Sequence, residues 1–226
     1  MKRARQAHQK LERREAILAV ALSTLADTPF QTITMTQLAE RSGLVKGTLY
    51  RYFATKEELF LEVLRDQFHG WFWDLETGLD SLPHRGRLQA AACLIADTTA
   101  SRPSFRLLLG VLHGILEHNL PEQTALAFKC ESLSRTAAMG ALLERSLPFL
   151  AEGQGVPLLL QIYALTIGLQ SMAEPTTMVR KILERPDLAP FRLDFSQECL
   201  RGVRALMVGL KAENRSGQAS SPLTGR

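Results

Sequence analysis

Cysteine is scarce in this 226-residue chain: Cys93, Cys130 and Cys199 are far apart and odd in number, which excludes a disulfide framework. Each lies in an apolar helical pattern such as AACLIA, so all three are expected to be small core residues in a reducing compartment. Runs of Val, Ile and Thr that alternate with polar residues are nearly absent, which argues against a β-sheet. No secretory signal is expected from MKRARQAHQKLERRE, which carries charge with no apolar core behind it. The most apolar run, VPLLLQIYALTIGLQSMA, is 18 residues long and interrupted by Gln161 and Gln170. It reads as a buried helix rather than a membrane span, so no membrane partner and a cytoplasmic location are expected.

The residue patterns of catalysis are missing too. There is no nucleophile elbow, no phosphate-binding glycine loop, no metal-spaced histidine set and no obvious acid/base pair. No enzyme activity, catalytic residue, metal or cofactor is therefore expected. In HGILEHNL, His113 and His118 are five apart and point about 140° from each other on a helix, a poor arrangement for sharing one ion. His113 and Glu117, four apart, are expected to form a structural pair.

What the chain does have is helical periodicity almost throughout. Breakers at Pro29, Gly43, 53–55, Pro83, Pro103, Pro121, 152–157, Pro175 and Pro186 divide it into nine or ten expected helices, an all-α fold with no internal repeat. Charge is uneven along it. Residues 1–60 hold ten Lys/Arg against six Asp/Glu, while the remaining 17 of each sign cancel, so all of the net +4 lies in the first quarter. A basic segment joined to a neutral body suggests an anionic partner, nucleic acid above all.

Within that quarter a first helix is expected from about Lys10 to Ala26, with Ile17, Leu18, Ala21 and Leu25 as its apolar stripe. Thr34 can cap a short second helix that turns Leu38 and Ala39 inward, and Gly43 closes it in a left-handed conformation. A third short helix starts near Val45 or Lys46, and Thr55 with Glu58 matches a capping box opening a fourth. Two short helices joined by a glycine turn are the helix-turn-helix arrangement, whose second helix can enter the DNA major groove. With Leu49 and Phe53 packed inward, that helix would present Lys46, Thr48, Tyr50, Arg51 and Tyr52, all suited to phosphates or base edges. Gly47 costs about 1 kcal/mol relative to alanine in a helix. Its expected compensation is close approach, either to a phosphate or to the second helix.

The segment from Arg13 to Leu64, above all TMTQLAERSGLVKGTLYRYFATKEELF, resembles the N-terminal domain of the TetR family of bacterial transcriptional regulators, with its motif LAxxxGVSKGTLYxYFxSKEEL. The resemblance implies a ligand-responsive regulator, a repressor that binds a palindromic double-stranded DNA operator as a homodimer and is released by a small-molecule effector. The alternative is a constitutive DNA-binding regulator with no small ligand. Carried over by position, Thr34, Thr36 and Gln37 lie at the front of the second helix, near DNA. Lys46, Gly47, Thr48, Tyr50, Arg51 and Tyr52 form the recognition surface, and Lys56 is a phosphate anchor. Val45 departs from the family's serine or threonine, so the side-chain cap of the recognition helix is missing, a loss of about 1 kcal/mol.

The implied organisation is a DNA-binding domain at 1–60 with a flexible basic tail at 1–9, a helical ligand-binding and dimerisation domain at 61–212, and a disordered tail at 213–226. Trp71, Phe72, Phe105, His113, Phe128, Tyr163 and Met172 are the pocket candidates, a set that rests on the resemblance. The helices spanning 157–173 and 196–210 are suited to pairing two subunits, the second through a stripe of Gly202, Ala205 and Gly209.

Overall fold

The structure is a computed structural model that describes the backbone of residues 2–219 and the side chains of residues 7–112 and 119–216. Among the described residues there are ten α-helices, two 3-10 turns and no strand, as the helical periodicity predicts. Two compact units interleave in sequence: Met1–His69 with Pro103–Glu122, and Gly70–Arg102 with Gln123–Arg226.

In the first unit, α1 (Lys2–Asp27) buries Ile17, Leu18, Ala21 and Leu25. It starts well before Lys10, and the tail expected to be flexible at 1–9 is helical from Lys2, because no glycine or proline interrupts KRARQAHQK. Pro29 ends it and a 3-10 turn (Phe30–Thr32) leads to α2 (Met35–Arg41), where the Thr34 hydroxyl accepts the Gln37 N–H at 3.2 Å. Gly43, at φ +64°, takes the left-handed conformation that closes α2. The short helix α3 (Lys46–Leu49) continues as a turn in which Tyr52 and Phe53 N–H groups donate to the Leu49 carbonyl. In α4 (Lys56–Asp80), the Thr55 hydroxyl accepts the Glu58 N–H, while the Glu58 carboxylate reaches back to Ala54 N–H, one residue beyond an ordinary capping box. Glu62 of α4 pairs with Arg14 of α1 and with Arg65, and the Arg14 guanidinium lies 5.4 Å from the Phe53 ring centre. The same unit includes α6 (Pro103–His118), which packs on α1 and starts on proline, where no intrahelical N–H is needed.

In the second unit, α10 (Phe195–Ala219) packs against α5 (Arg87–Ala100) and α8 (Gly155–Ala173) and buries Cys199, Val203 and Met207. It continues past residue 212, so the tail expected to be disordered from 213 is helical to Ala219, with no proline before Pro222 to interrupt it. Residues 220–226 lie outside the described residues. Close crossings depend on two glycines of α7 (Glu122–Ser146) and α8: a Cβ on Gly155 would lie 2.1 Å from the Gly140 carbonyl oxygen. Gly202 faces Leu165 within the chain, its added Cβ 2.6 Å from a Leu165 methyl, so it serves the α8–α10 contact rather than an outward stripe. Of the cysteines only Cys199 is core; Cys93 is half-buried and Cys130 exposed, since the broad polar surface of α7 leaves position 130 on its solvent side. By length and composition α8 could cross a membrane, but one face of it packs on α10. Between α8 and α10, α9 (Thr177–Leu183) and a second 3-10 turn (Pro186–Phe191) contain no buried residue.

Candidate nucleic-acid interface

Leu49 and Phe53 are buried at 0% and 4% exposure and hold the back of α3 to the scaffold, one helical turn apart as their spacing predicts. Val45 supplies no side-chain cap and is 78% exposed. On the outward side Lys46, Gly47, Tyr50 and Arg51 are exposed, and Thr48 and Tyr52 are half-buried. The Lys46 ammonium sits 5.9 Å from the Tyr50 ring centre, which groups a cation and a phenol at the front of the helix. Thr36 is exposed beside them on α2, and Gln37 is half-buried, its backbone N–H taken by the Thr34 cap.

Gly47 settles one of the two alternatives for its cost. A Cβ built there meets nothing within 4 Å, so α2 does not require the glycine. The open space in front of the first turn is what remains to explain it.

Tyr52 looks another way. It lines a groove of 850 Å³ formed by α1 and the α2–α3 turn, together with Lys10, Arg13, Arg41 and Gly43. Lys10 and Arg13 are exposed there and were hidden in the sequence among the charges of the first helix. Arg41 is engaged by Asp27 at 3.1 Å, and hydrogen bonds from Thr28 and then Arg41 hold the Asp27 carboxyl below its ordinary pKa.

Lys56, expected as a phosphate anchor, is engaged within the fold. Its ammonium donates to the carbonyls of Ile33 at 2.9 Å, Phe30 at 3.1 Å and Gln31 at 3.3 Å, and it lies 4.8 Å from the Phe30 ring centre. All three donors of the group are thereby used. The lysine ties the start of α4 to the turn that leads into α2.

The pocket candidates divide between the units. Phe105 belongs to the first, its ring edge-on to Phe68 at 5.0 Å. In the second, Trp71 and Phe128 are buried, Phe72 is half-buried with its ring 5.2 Å from that of Trp71, and burial raises the pKa of the half-buried Tyr163 phenol. Met172 is 52% exposed on the outer face of α8, so it does not line an enclosed pocket. The side chain of His113, and with it the His113–Glu117 pair, lies outside the described residues. Among the described residues no cluster of His, Cys, Asp and Glu could hold a metal ion.

Comparison with known proteins finds two matched regions in the chain. The family model described as bacterial regulatory proteins, tetR family, matches residues 17–63, and one described as tetracyclin repressor-like, C-terminal domain, matches residues 65–214. The HTH-type transcriptional repressor KstR2 of Mycolicibacterium smegmatis is 35% identical over 65 residues, 29% of this chain and 31% of that protein. The HTH-type transcriptional regulator RutR of Escherichia coli K12 is 36% identical over 64 residues, 28% of this chain and 30% of that protein. The chain thus spans about three tenths of the length of the curated relatives it matches. A TetR-family transcriptional regulator from Streptomyces coelicolor superposes with a TM-score of 0.53 at 16% identity, covering 95% of this chain and 91% of the other, which establishes the shared fold. With a helix-turn-helix whose outward face is polar, and with both of its regions matched, the chain belongs to the TetR family of bacterial transcriptional regulators.

Proposed function

We propose that the protein is a ligand-responsive repressor that binds a palindromic DNA operator as a homodimer through α3 and is released by a small molecule. The observation that carries this reading is Gly47. A helical glycine costs about 1 kcal/mol, and no neighbour in the chain crowds the position. An approaching DNA backbone supplies the reason that the folded chain does not. Lys46, Tyr50 and Arg51 then meet base edges and phosphates, with Thr48 and Thr36 beside them, while Lys10 and Arg13 add phosphate contacts along the α1 groove.

Pairing is supported by unpartnered surface on α8 and α10. Leu160, Ala164, Gly168 and Met172 are exposed at intervals of four along α8, and Ala205, Val208, Gly209 and Ala212 are exposed on α10. Gly168 and Gly209 have nothing within 4 Å of an added Cβ, so a second chain's helices could approach closely there. The adjoining 174–194 arm exposes Phe191 at 61% together with Met178 and Ile182, which extends the apolar surface that a partner subunit would cover. Two half-sites lie about 34 to 36 Å apart. An effector that changes the separation of the recognition helices spoils simultaneous docking, and linkage requires DNA to weaken effector binding in return.

Selection of bound fragments from random duplex DNA at near-physiological salt tests the reading. It predicts an inverted-repeat consensus, and that Tyr50→Ala abolishes enrichment without changing the mass of the dimer. Enrichment of no sequence, or undiminished enrichment by the variant, contradicts it. A thermal-shift screen with small apolar compounds separates the regulated repressor from a constitutive one, which no compound would stabilise.

A further inference from the structure

Far along the chain from the helix-turn-helix, the second unit has a groove of 1310 Å³ between the start of α5, the end of α7 and the last turns of α10. Five of its lining side chains, His84, Arg87, Arg145, Lys211 and Arg215, are basic, and none is Asp or Glu. Leu88, Pro148, Phe149, Val208 and Ala212 give the same groove an apolar surface.

Two structural reasons for the cations account for only part of them. The Arg87 guanidinium is spent on backbone carbonyls, donating to Ser146 at 2.6 Å, Leu82 at 3.1 Å and Leu79 at 3.4 Å, which ties down the ends of α4 and α7. Arg145 sits in the last turn of α7, where a cation complements the helix dipole. That effect falls off within a turn, and Lys211 lies two turns before the end of α10 at Ala219. Asn214, between Lys211 and Arg215, donates to the Phe149 carbonyl at 2.8 Å and is linked to Gln154. Its polar groups are satisfied within the fold. Arg145, Lys211 and Arg215 have no hydrogen bond or ion pair among the described residues, although acidic side chains are plentiful in the chain. Like charges lining one concavity with low-dielectric walls repel one another and focus a positive potential into it. An anion entering there relieves that repulsion.

We propose that this groove is a binding site for an amphiphilic organic anion, with a carboxylate held by Arg145, Lys211 and Arg215 and an apolar body laid on Leu88, Pro148 and Phe149. The guanidinium fork suits a carboxylate's two oxygens, and Lys211 adds a point charge. The apolar wall selects against small inorganic anions, which gain nothing from it.

Calorimetry on the full chain tests this site without DNA, so its outcome is independent of operator binding. The probes are decanoate below its micelle concentration, decyltrimethylammonium as the charge-reversed amphiphile, and inorganic phosphate. The site predicts one decanoate per chain, with affinity falling about tenfold or more in Arg145→Gln/Lys211→Gln. Both other probes bind more weakly than decanoate by a similar factor. A second variant, Lys211→Gln/Arg215→Gln, gives the same loss and guards against misfolding of the first, with each variant's thermal melt recorded. Val208 and Ala212 also lie on the α10 face proposed for pairing, so sedimentation accompanies each titration and an unchanged mass confines the effect to the groove. The proposal is overturned if wild type does not bind decanoate, if folded charge variants bind it undiminished, or if either control probe matches it.

Discussion

The Lys56 ammonium lies 2.9 Å from the carbonyl oxygen of Ile33, and the same nitrogen reaches the carbonyls of Phe30 and Gln31. These are the residues that set the entry into α2. One cation at the start of α4 therefore fixes the turn on which the helix-turn-helix is mounted. Lys56→Met should lower unfolding free energy by about 1.5 to 3 kcal/mol, since it removes a charge-assisted donor from three carbonyls. A urea titration with an unchanged midpoint would count against the clamp.

Gly47 gives a prediction with opposite signs for stability and for DNA. Gly47→Ala should raise stability by about 1 kcal/mol, because alanine favours the helix and the new methyl group meets nothing within 4 Å. The same substitution should weaken operator binding. Thermal unfolding and fluorescence anisotropy on one preparation check both; a variant that is more stable and binds as tightly as wild type would remove the case for close approach at this position.

Gly155 and Gly209 are both helical glycines, yet they should respond differently. Gly155→Ala places a methyl against the immovable Gly140 carbonyl and should cost about 1 to 3 kcal/mol of stability. Gly209→Leu faces open space in the single chain, so a loss there should appear in the dimer dissociation constant instead. Sedimentation equilibrium and chemical denaturation together separate the two.

Phe191 tests the arm. An exposed phenylalanine in a segment without a buried residue gains nothing from its ring in the single chain, so Phe191→Ser should leave monomer unfolding unchanged within about 0.5 kcal/mol. Dimer dissociation should become easier if the partner subunit covers the ring. A variant with unaltered self-association would place the arm outside the interface.

Much of this was legible in the sequence because local signals agreed there. Thr34, Gly43, Leu49 and Phe53 each took the part that capping, turn or helical spacing assigns. Other positions depended on partners distant in sequence. Lys56 reads as an anion site at a helix start, and only the fold shows that carbonyls 23 to 26 residues away take its donors. Gly202 reads as one of three outward small residues, but its rotation about α10 turns it to Leu165. Met172 reads as pocket and stands on the surface. Trp73 is 68% exposed although Trp71, two residues before it, is buried, because the two side chains point to opposite sides of α4.

The most direct test measures affinity for the selected duplex over a range of salt for wild type, Lys46→Ala and Lys56→Met. If α3 lies against DNA and Lys56 acts only through the fold, Lys46→Ala lowers the steepness of log affinity against log salt by about two, one for each subunit of the dimer, while Lys56→Met leaves that slope unchanged. A Lys46→Ala slope equal to wild type, or a reduced slope in Lys56→Met, would contradict the account.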